Sequence, residues 1–489
     1  MKVNKIDNVL IILALSYIII PIIIFFFGWM KFIYALIASL VFILFGFKLF
    51  GNIKRNNISL INKRTLLFWI ITIIVCAIWI YFSGIGNFSY QNSDFWVRNP
   101  IYKDLCNYKW PVIYDLSLQP MRIQTITGSS QVAFSYYFTW WLFPALISKL
   151  FKLNELGRNI VLYLWSLIGV LLVFYLINRI VKKCRYKNLF IFICFSGLDI
   201  IGNFIVNKQI DMFNHIEWWT NYFLQYSSNT TQLYWVFNQS IPIWIITALL
   251  LELNDNKYIG SLCSLSLAYS PWATIGIIPI ALYGSFRKRK EIKNIFNTVN
   301  IIVPILMLLT YGTFYLSSSG SSGGIGTTIS YYRNDILRFI SIMILFMVLE
   351  FGLYITLIWK NAKNDKYFPI VLAMLIISPF IFMRDGNYTM RGTIPSLFIL
   401  MIYVIKQFGI NRKIDILLCA IILIGSFTAF NEMNRSIYFT FDSSNYLQEE
   451  VGSFGRIQTK DEAHIKIIKD QFYIYDYTNS VFFKYLSKQ

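Results

Sequence analysis

AFSYYFTWWLFPALISKLFK, residues 133–152, reads by hydropathy as a membrane-crossing helix. Whether it crosses decides the fold, because it sets the side of the membrane on which every later loop lies. Arg179, Lys182, Lys183, Arg185 and Lys187 close the next apolar run, 158–181. Short cytoplasmic loops of membrane proteins concentrate Lys and Arg. If 133–152 crosses, this cluster lies outside; if it does not, the cluster lies inside with the others. The charge pattern therefore predicts that 133–152 does not cross. Tyr136, Tyr137, Trp140 and Trp141 suit a lipid–water interface, and a helix lying along the outer surface is expected.

Comparable apolar runs recur along all 489 residues. The chain is 56% hydrophobic and 14% charged, whereas soluble chains carry about a quarter charged residues. Runs of this length cross a hydrocarbon core of about 30 Å. Thirteen are expected, near 8–27, 31–50, 65–84, 158–181, 188–206, 236–252, 257–270, 272–286, 296–316, 335–359, 367–383, 393–408 and 413–430. The fold class is all-α, a polytopic transmembrane bundle in which each helix satisfies its own backbone.

Four more basic clusters agree in phase with the first. They are Lys48, Lys54, Arg55, Lys63 and Arg64; Arg287 to Lys290 with Lys293; Lys360, Lys363 and Lys366; and Lys406, Arg412 and Lys413. All five fall on the cytoplasmic side if the N-terminus is cytoplasmic, which places a tail from Asn431 to Gln489 outside. The net charge of +20 is thus spread over short loops, not drawn into one stripe for nucleic acid. Anionic lipid headgroups or a phosphate-bearing substrate are the expected acidic partners. Abundant Ile, Lys and Asn suggest a bacterial genome rich in A and T. The six cysteines contain no CxxC pair, so no disulfide framework is expected. The run 8–27 has no small-residue cleavage site after it and reads as a retained helix. Four regions follow: 1–64, two N-terminal spans with a basic loop; 65–290, with the large outer loops; 291–430, a second membrane half; and 431–489, the tail.

Three clusters in the outer loops have chemistry to offer. Asp94, Arg98 and Asp104 follow the third span, and a helix there sets Asp94 and Arg98 on one face. A carboxylate at that place serves as a general base, holds a metal, or caps a helix. The loop DMFNHIEWWTNYF supplies Asp211, His215, Glu217, Trp218 and Trp219, which suit sugar stacking or an interfacial aromatic belt. HxE alone is too few ligands for a metal site. FMRDGNYTMRG places Arg384, Asp385 and Arg391 at a helix end, where arginine binds phosphate or snorkels to headgroups. The SSSGSSGGIGTT stretch at 317–328 is either a mobile lid or a plain connector. Asp199 and Glu350 fall inside expected spans and need internal partners. No Gly-rich nucleotide loop is present.

The layout of Asp94 in an early outer loop, the aromatic segment YYFTWWLFPALISKLFK, a span opening near Arg158 and ending in a basic patch, and the Pro-joined short spans SLCSLSLAYSPWATIGIIPIALYGSFRKRK resembles the GT-C superfamily of glycosyltransferases. The likeness covers roughly 65–290. Two extra N-terminal spans and the absence of a clear acidic pair depart from it. The resemblance implies juxtamembrane helices on the outer surface, a polyprenyl-phosphate-linked sugar donor and a catalytic carboxylate, carried over to Asp94 with Asp104 second. It implies transfer of a sugar to a cell-envelope glycan or lipid acceptor. Arg98, His215, Glu217, Trp218, Trp219, Arg384, Asp385 and Arg391 are the expected substrate-binding residues. A divalent metal is left open. A surface-polysaccharide polymerase or ligase with a lipid-linked donor, and a transporter or flippase, are the rival readings.

Overall fold

A computed structural model describes the chain except residues 1–4, 53–59, 62, 64, 119–129, 209, 211–212, 223, 254–256, 288, 319–325, 329–332, 383–386, 443–451, 460 and 489. Eight of its helices are long and apolar enough to cross a membrane: Ile6–Trp29, Phe32–Gly51, Glu155–Val181, Tyr186–Asn207, Asn229–Leu253, Thr298–Leu316, Ile336–Ala362 and Arg412–Phe441. Five shorter apolar helices, Leu66–Tyr81, Ile259–Ala268, Pro271–Phe286, Phe368–Phe380 and Ile394–Gln407, fall on the other expected runs. Phe47, Leu67, Ile74, Leu337 and Leu423 are exposed along these helices. In water such a surface would drive aggregation; against lipid tails it costs nothing.

Asn229–Leu253 is the central post, buried almost throughout and packed on Glu155–Val181 and Ile394–Gln407. Its backbone leaves helical geometry at Val236 (φ −138°, ψ 37°), and Pro242 lies one turn and a half further on. Proline removes an N–H from the ladder and favours an interruption on its N-terminal side. The Ser240 hydroxyl reaches back across the break to the Gln232 carbonyl at 3.1 Å.

Most of the basic loops meet at one end of the bundle. Arg179 pairs with Glu252 at 2.7 Å, the Lys187 ammonium lies 4.2 Å from the Phe408 ring centre, and Asn361 Nδ2 donates to Gln407 Oε1 at 2.7 Å. Tyr175 donates to Asp7 there, so the first helix begins at this end.

The opposite end carries a small cap. Strands Ile113–Asp115, Gln131–Phe134 and Tyr473–Ile474 form an antiparallel sheet in that order, with Ala133 opposite both Ile113 and Ile474. Phe134, Phe454 and Phe472 stack beneath it. The C-terminal segment is therefore part of the folded cap and not a free tail. It also clasps the turn between the first two helices, where Lys31 N–H donates to the Leu486 carbonyl (2.8 Å) and Lys488 N–H to that of Trp29 (3.0 Å).

The segment 133–152 begins as the end of a strand and continues as the helix Thr139–Leu150. Twelve residues reach only about 18 Å, too short to cross. Its aromatic residues do not lie at an interface, however. Trp140 and Trp141 are 0% and 1% exposed. Trp140 Nε1 donates to Tyr17 Oη at 2.9 Å, and Trp165, stacked 3.8 Å from Tyr17, donates to the Trp140 carbonyl. The indole N–H groups find partners inside the bundle, so the rings pack between helices.

Candidate functional site

Asp94 lies between the Leu66–Tyr81 helix and the Phe95–Asn107 helix of the cap. Asn92 ties this joint to the central post, its Oδ1 accepting from Asp94 N–H (3.0 Å) and its Nδ2 donating to the Tyr234 carbonyl (2.9 Å). Aspartate before a helix ordinarily spends its carboxylate on a capping bond. Asp94 makes none; its Oδ2 accepts from Arg98 Nη2 at 2.6 Å. The expected i, i+4 pair is present, with the Asp94 side chain 39% exposed and that of Arg98 4% exposed.

The Arg98 guanidinium is held over the rings of Phe95 and Phe237, 5.8 and 5.2 Å from their centres. Its Nη1 is buried and has no hydrogen-bond partner among the described residues. A buried cationic donor left this way is costly, and an anionic ligand removes the cost. Phe237 is one residue past the break in the central post, and Trp140 and Trp141 close on the same ring. The next two residues, Asn238 and Gln239, are each 1% exposed, and their amide nitrogens have no partner among the described residues. Gln239 Oε1 accepts from Ser270 Oγ (2.9 Å), which also accepts from Ala273 N–H and so starts the Pro271–Arg287 helix.

Arg391 sits in the short helix Asn387–Gly392, which lies on Pro271–Arg287. A Cβ on Gly276 would fall 1.8 Å from the Gly392 carbonyl oxygen, so only glycine lets these backbones touch. Tyr136 lies within electrostatic range of both arginines. Burial pushes its phenol well above the ordinary range and neighbouring Tyr137 adds to this, while the charges of Arg391 and Arg98 pull the other way. Two cations far apart in sequence thus act on one phenol, beside Trp141. Arg384 and Asp385 lie outside the described residues, as does Asp211.

Asp104 is not presented to this site. It is fully buried, and its Oδ2 accepts from Tyr114 Oη (2.8 Å) and from Phe454 N–H (2.9 Å). Burial pushes its carboxyl up to about 6 against these bonds. It anchors the C-terminal segment to the Phe95–Asn107 helix.

His215 and Glu217 belong to a second, closed cluster. Trp218 Nε1 donates to Gln225 Oε1 (3.0 Å), which turns the Gln225 amide nitrogen toward Glu217 (2.7 Å) and His215 Nε2 (3.0 Å). His215 then carries its proton on Nδ1 and donates to Glu432 Oε1 at 2.7 Å. Glu432 also accepts from Arg435 and Trp235, each at 3.0 Å. Glu217 further accepts from Thr231 Oγ1 (2.5 Å) and Ser228 N–H (2.9 Å). Burial opposes a charge on His215, but Glu432 and Glu217 outweigh it and its pKa is raised. Burial pushes Glu217 up to about 7, with His215 acting against it. The Trp pair is split: Trp218 is 61% exposed, whereas Trp219 is 0% exposed and donates to Glu350, so it offers no face for a sugar. Among the described residues no group of three or more His, Cys, Asp or Glu is placed to hold a metal ion.

No family model, no curated protein and no solved structure matches the chain. The residues themselves carry the functional reading.

Proposed function

We propose that the chain is a GT-C-like membrane glycosyltransferase that moves a sugar from a polyprenyl-phosphate carrier to a cell-envelope acceptor on the non-cytoplasmic face. The observation that carries this reading is the buried Arg98 guanidinium, with Asp94 held on one nitrogen and the other nitrogen without a partner among the described residues, while Arg391 lies near enough for its charge to act on Tyr136 together with that of Arg98. One planar guanidinium then serves both halves of the reaction. Its Nη2 positions the base, and its open Nη1 faces the charge that must leave.

The bond broken joins the sugar's anomeric carbon to the carrier phosphate oxygen, which departs with the electron pair. Arg98 and Arg391 stabilise the growing negative charge on that phosphate. The new bond joins the anomeric carbon to the acceptor oxygen, and Asp94 takes the hydroxyl proton as the acceptor attacks. Asp94 suits this role better than Asp104, because it is open at the joint while Asp104 is sealed beneath the cap. The break at Val236 supports the reading as well. Just beyond it lie Asn238 and Gln239, two buried amides whose nitrogens have no partner among the described residues, and unsatisfied polar groups inside a membrane helix signal a ligand.

The orientation rests on charge. Basic loops gather at the end opposite the cap, which favours a cytoplasmic N-terminus and an outward cap. The test is Asp94→Asn, expressed in cells that carry the modified envelope. Transfer should fall by about 10²–10⁴-fold, the usual worth of a general base, with protein level in the membrane unchanged. Near-normal glycan in that variant would remove the assignment.

A further inference from the structure

Two acidic residues lie in the middle of segments long and apolar enough to cross a membrane, Asp199 in Tyr186–Asn207 and Glu350 in Ile336–Ala362. Neither segment is regular. Residues 195–198 interrupt the first, and Asp199 restarts the helix. The second carries a π-turn, Val348–Gly352, with Glu350 at its centre. Such turns open a helix locally and recur at functional sites.

The two irregularities fit each other. Leu198 N–H donates to the Leu349 carbonyl at 3.1 Å. Gly197 lies against the Glu350 carboxyl, where a Cβ would fall 1.9 Å from Oε2. Asp199 Oδ2 accepts from Ser196 Oγ and Thr428 Oγ1, both at 2.9 Å, and Glu350 Oε1 accepts from Trp219 Nε1 at 3.3 Å. The remaining oxygens, Asp199 Oδ1 and Glu350 Oε2, are buried with no donor among the described residues, and the interlocked breaks, with Glu350 against Gly197 and Leu198 bonded to Leu349, bring the two carboxyl groups together.

Among the described residues, the other groups nearby supply these two oxygens with neither a donor nor a counter-charge. The Tyr226 hydroxyl donates to the Leu375 carbonyl and that of Tyr354 to the Ser196 carbonyl. No lysine or arginine among the described residues pairs with either acid, and the charge of Glu217 also acts on the pair. Two bare carboxylates facing each other in this setting repel and cannot both ionise. One proton between them turns the contact into a strong hydrogen bond and leaves a single charge for the pair.

We propose that Asp199 and Glu350 form a proton-binding site in the bilayer core, in which one shared proton fastens the break at 195–198 to the π-turn. Glu217 stands between this pair and His215, whose Nε2 lies 3.6 Å from Glu217 Oε2, and that line is the route by which the proton exchanges with the cap end. The site does not depend on the transferase reading.

The test is infrared spectroscopy of the full chain in lipid nanodiscs at neutral pH. The wild type should show a protonated-carboxyl C=O band that shifts in D₂O, and the Asp199→Asn/Glu350→Gln double variant should lose that intensity. Superimposable spectra of wild type and double variant in this region would overturn the proposal. Asp199→Asn alone keeps the pair's charge and puts an amide N–H where the proton sits. It should fold and melt like the wild type while losing the same band, so the measurement survives a double variant that fails to fold. A band unchanged in both Asp199→Asn and Glu350→Gln would equally overturn the site.

Discussion

The Asp94–Arg98 joint and the His215–Glu432 cluster use the same kinds of side chain to opposite ends. In the cluster the imidazole and both carboxylates are partnered: His215 spans Glu432 and Gln225, and Glu217 takes three donors, with only the Arg435 Nε left without a partner among the described residues. At the joint, Arg98 is as deeply buried yet keeps one nitrogen open, and its carboxylate partner is partly exposed. The difference is access: the cluster's carboxylates are sealed among donors, whereas Asp94 beside Arg98 is open to a ligand. The sequence motif HxE with two tryptophans advertises chemistry more loudly than DFWVR does, but burial reverses that ranking.

The comparison breaks most visibly if the two regions trade phenotypes. Glu432→Ala strands His215 and Arg435 without their counter-charge and should cost about 3–5 kcal/mol of stability, the usual loss on breaking a buried pair. Thermal unfolding in detergent reads this out. A Glu432→Ala protein that melts normally but transfers no sugar would move the active site into the cluster.

Trp219 and Trp218 sharpen the same point at adjacent positions. Trp219→Ala empties a fully buried volume and should cost about 3–5 kcal/mol. Trp218→Ala, at an exposed residue, should stay within about 0.5 kcal/mol. Equal effects would contradict the split.

The smallest effect is on pH. Glu217, pushed up to about 7, and His215, with a raised pKa, bind protons more tightly folded than unfolded. The folded state then holds more protons, so stability is full at low pH and declines as pH rises through about 7. Asp104, up to about 6, adds in the same direction. The melting temperature should be higher at about pH 5 than at about pH 8, where the linkage of such carboxyls is spent. Glu217→Gln should flatten the slope, and an unaltered slope would remove Glu217 from the account.

Much of this was legible in the sequence where one-dimensional pattern suffices. Length and hydropathy locate eight helices long enough to cross and five shorter apolar ones, and the phase of the basic loops argues against a span at 133–152, where the helix Thr139–Leu150 is twelve residues long. The Asp94–Arg98 pair follows from helical spacing alone. Pattern fails where contacts are long-range. Asp199 and Glu350 meet only because a gap in one helix fits a π-turn in another, and neither irregularity has a periodic signal. The sheet edge Tyr473–Ile474 is two residues long, too short for alternation to show. Trp140 and Trp141 carry the composition of a membrane interface, yet both rings are buried and the Trp140 indole N–H finds its partner in Tyr17 in the core. Asn238 and Gln239 were readable as polar residues inside an apolar run just before Pro242, a signal that hydropathy averaging hides.

The central claim is that Arg98 and Arg391 hold the same phosphate. A double-mutant cycle on the binding of a short-chain polyprenyl phosphate tests it most directly, with wild type, Arg98→Ala, Arg391→Ala and the double variant in nanodiscs. If both cations grip one phosphate, the single effects couple, and the double variant departs from their sum by about 1 kcal/mol or more. Effects that add to within about 0.5 kcal/mol, or wild-type protein that does not bind the carrier, would contradict it.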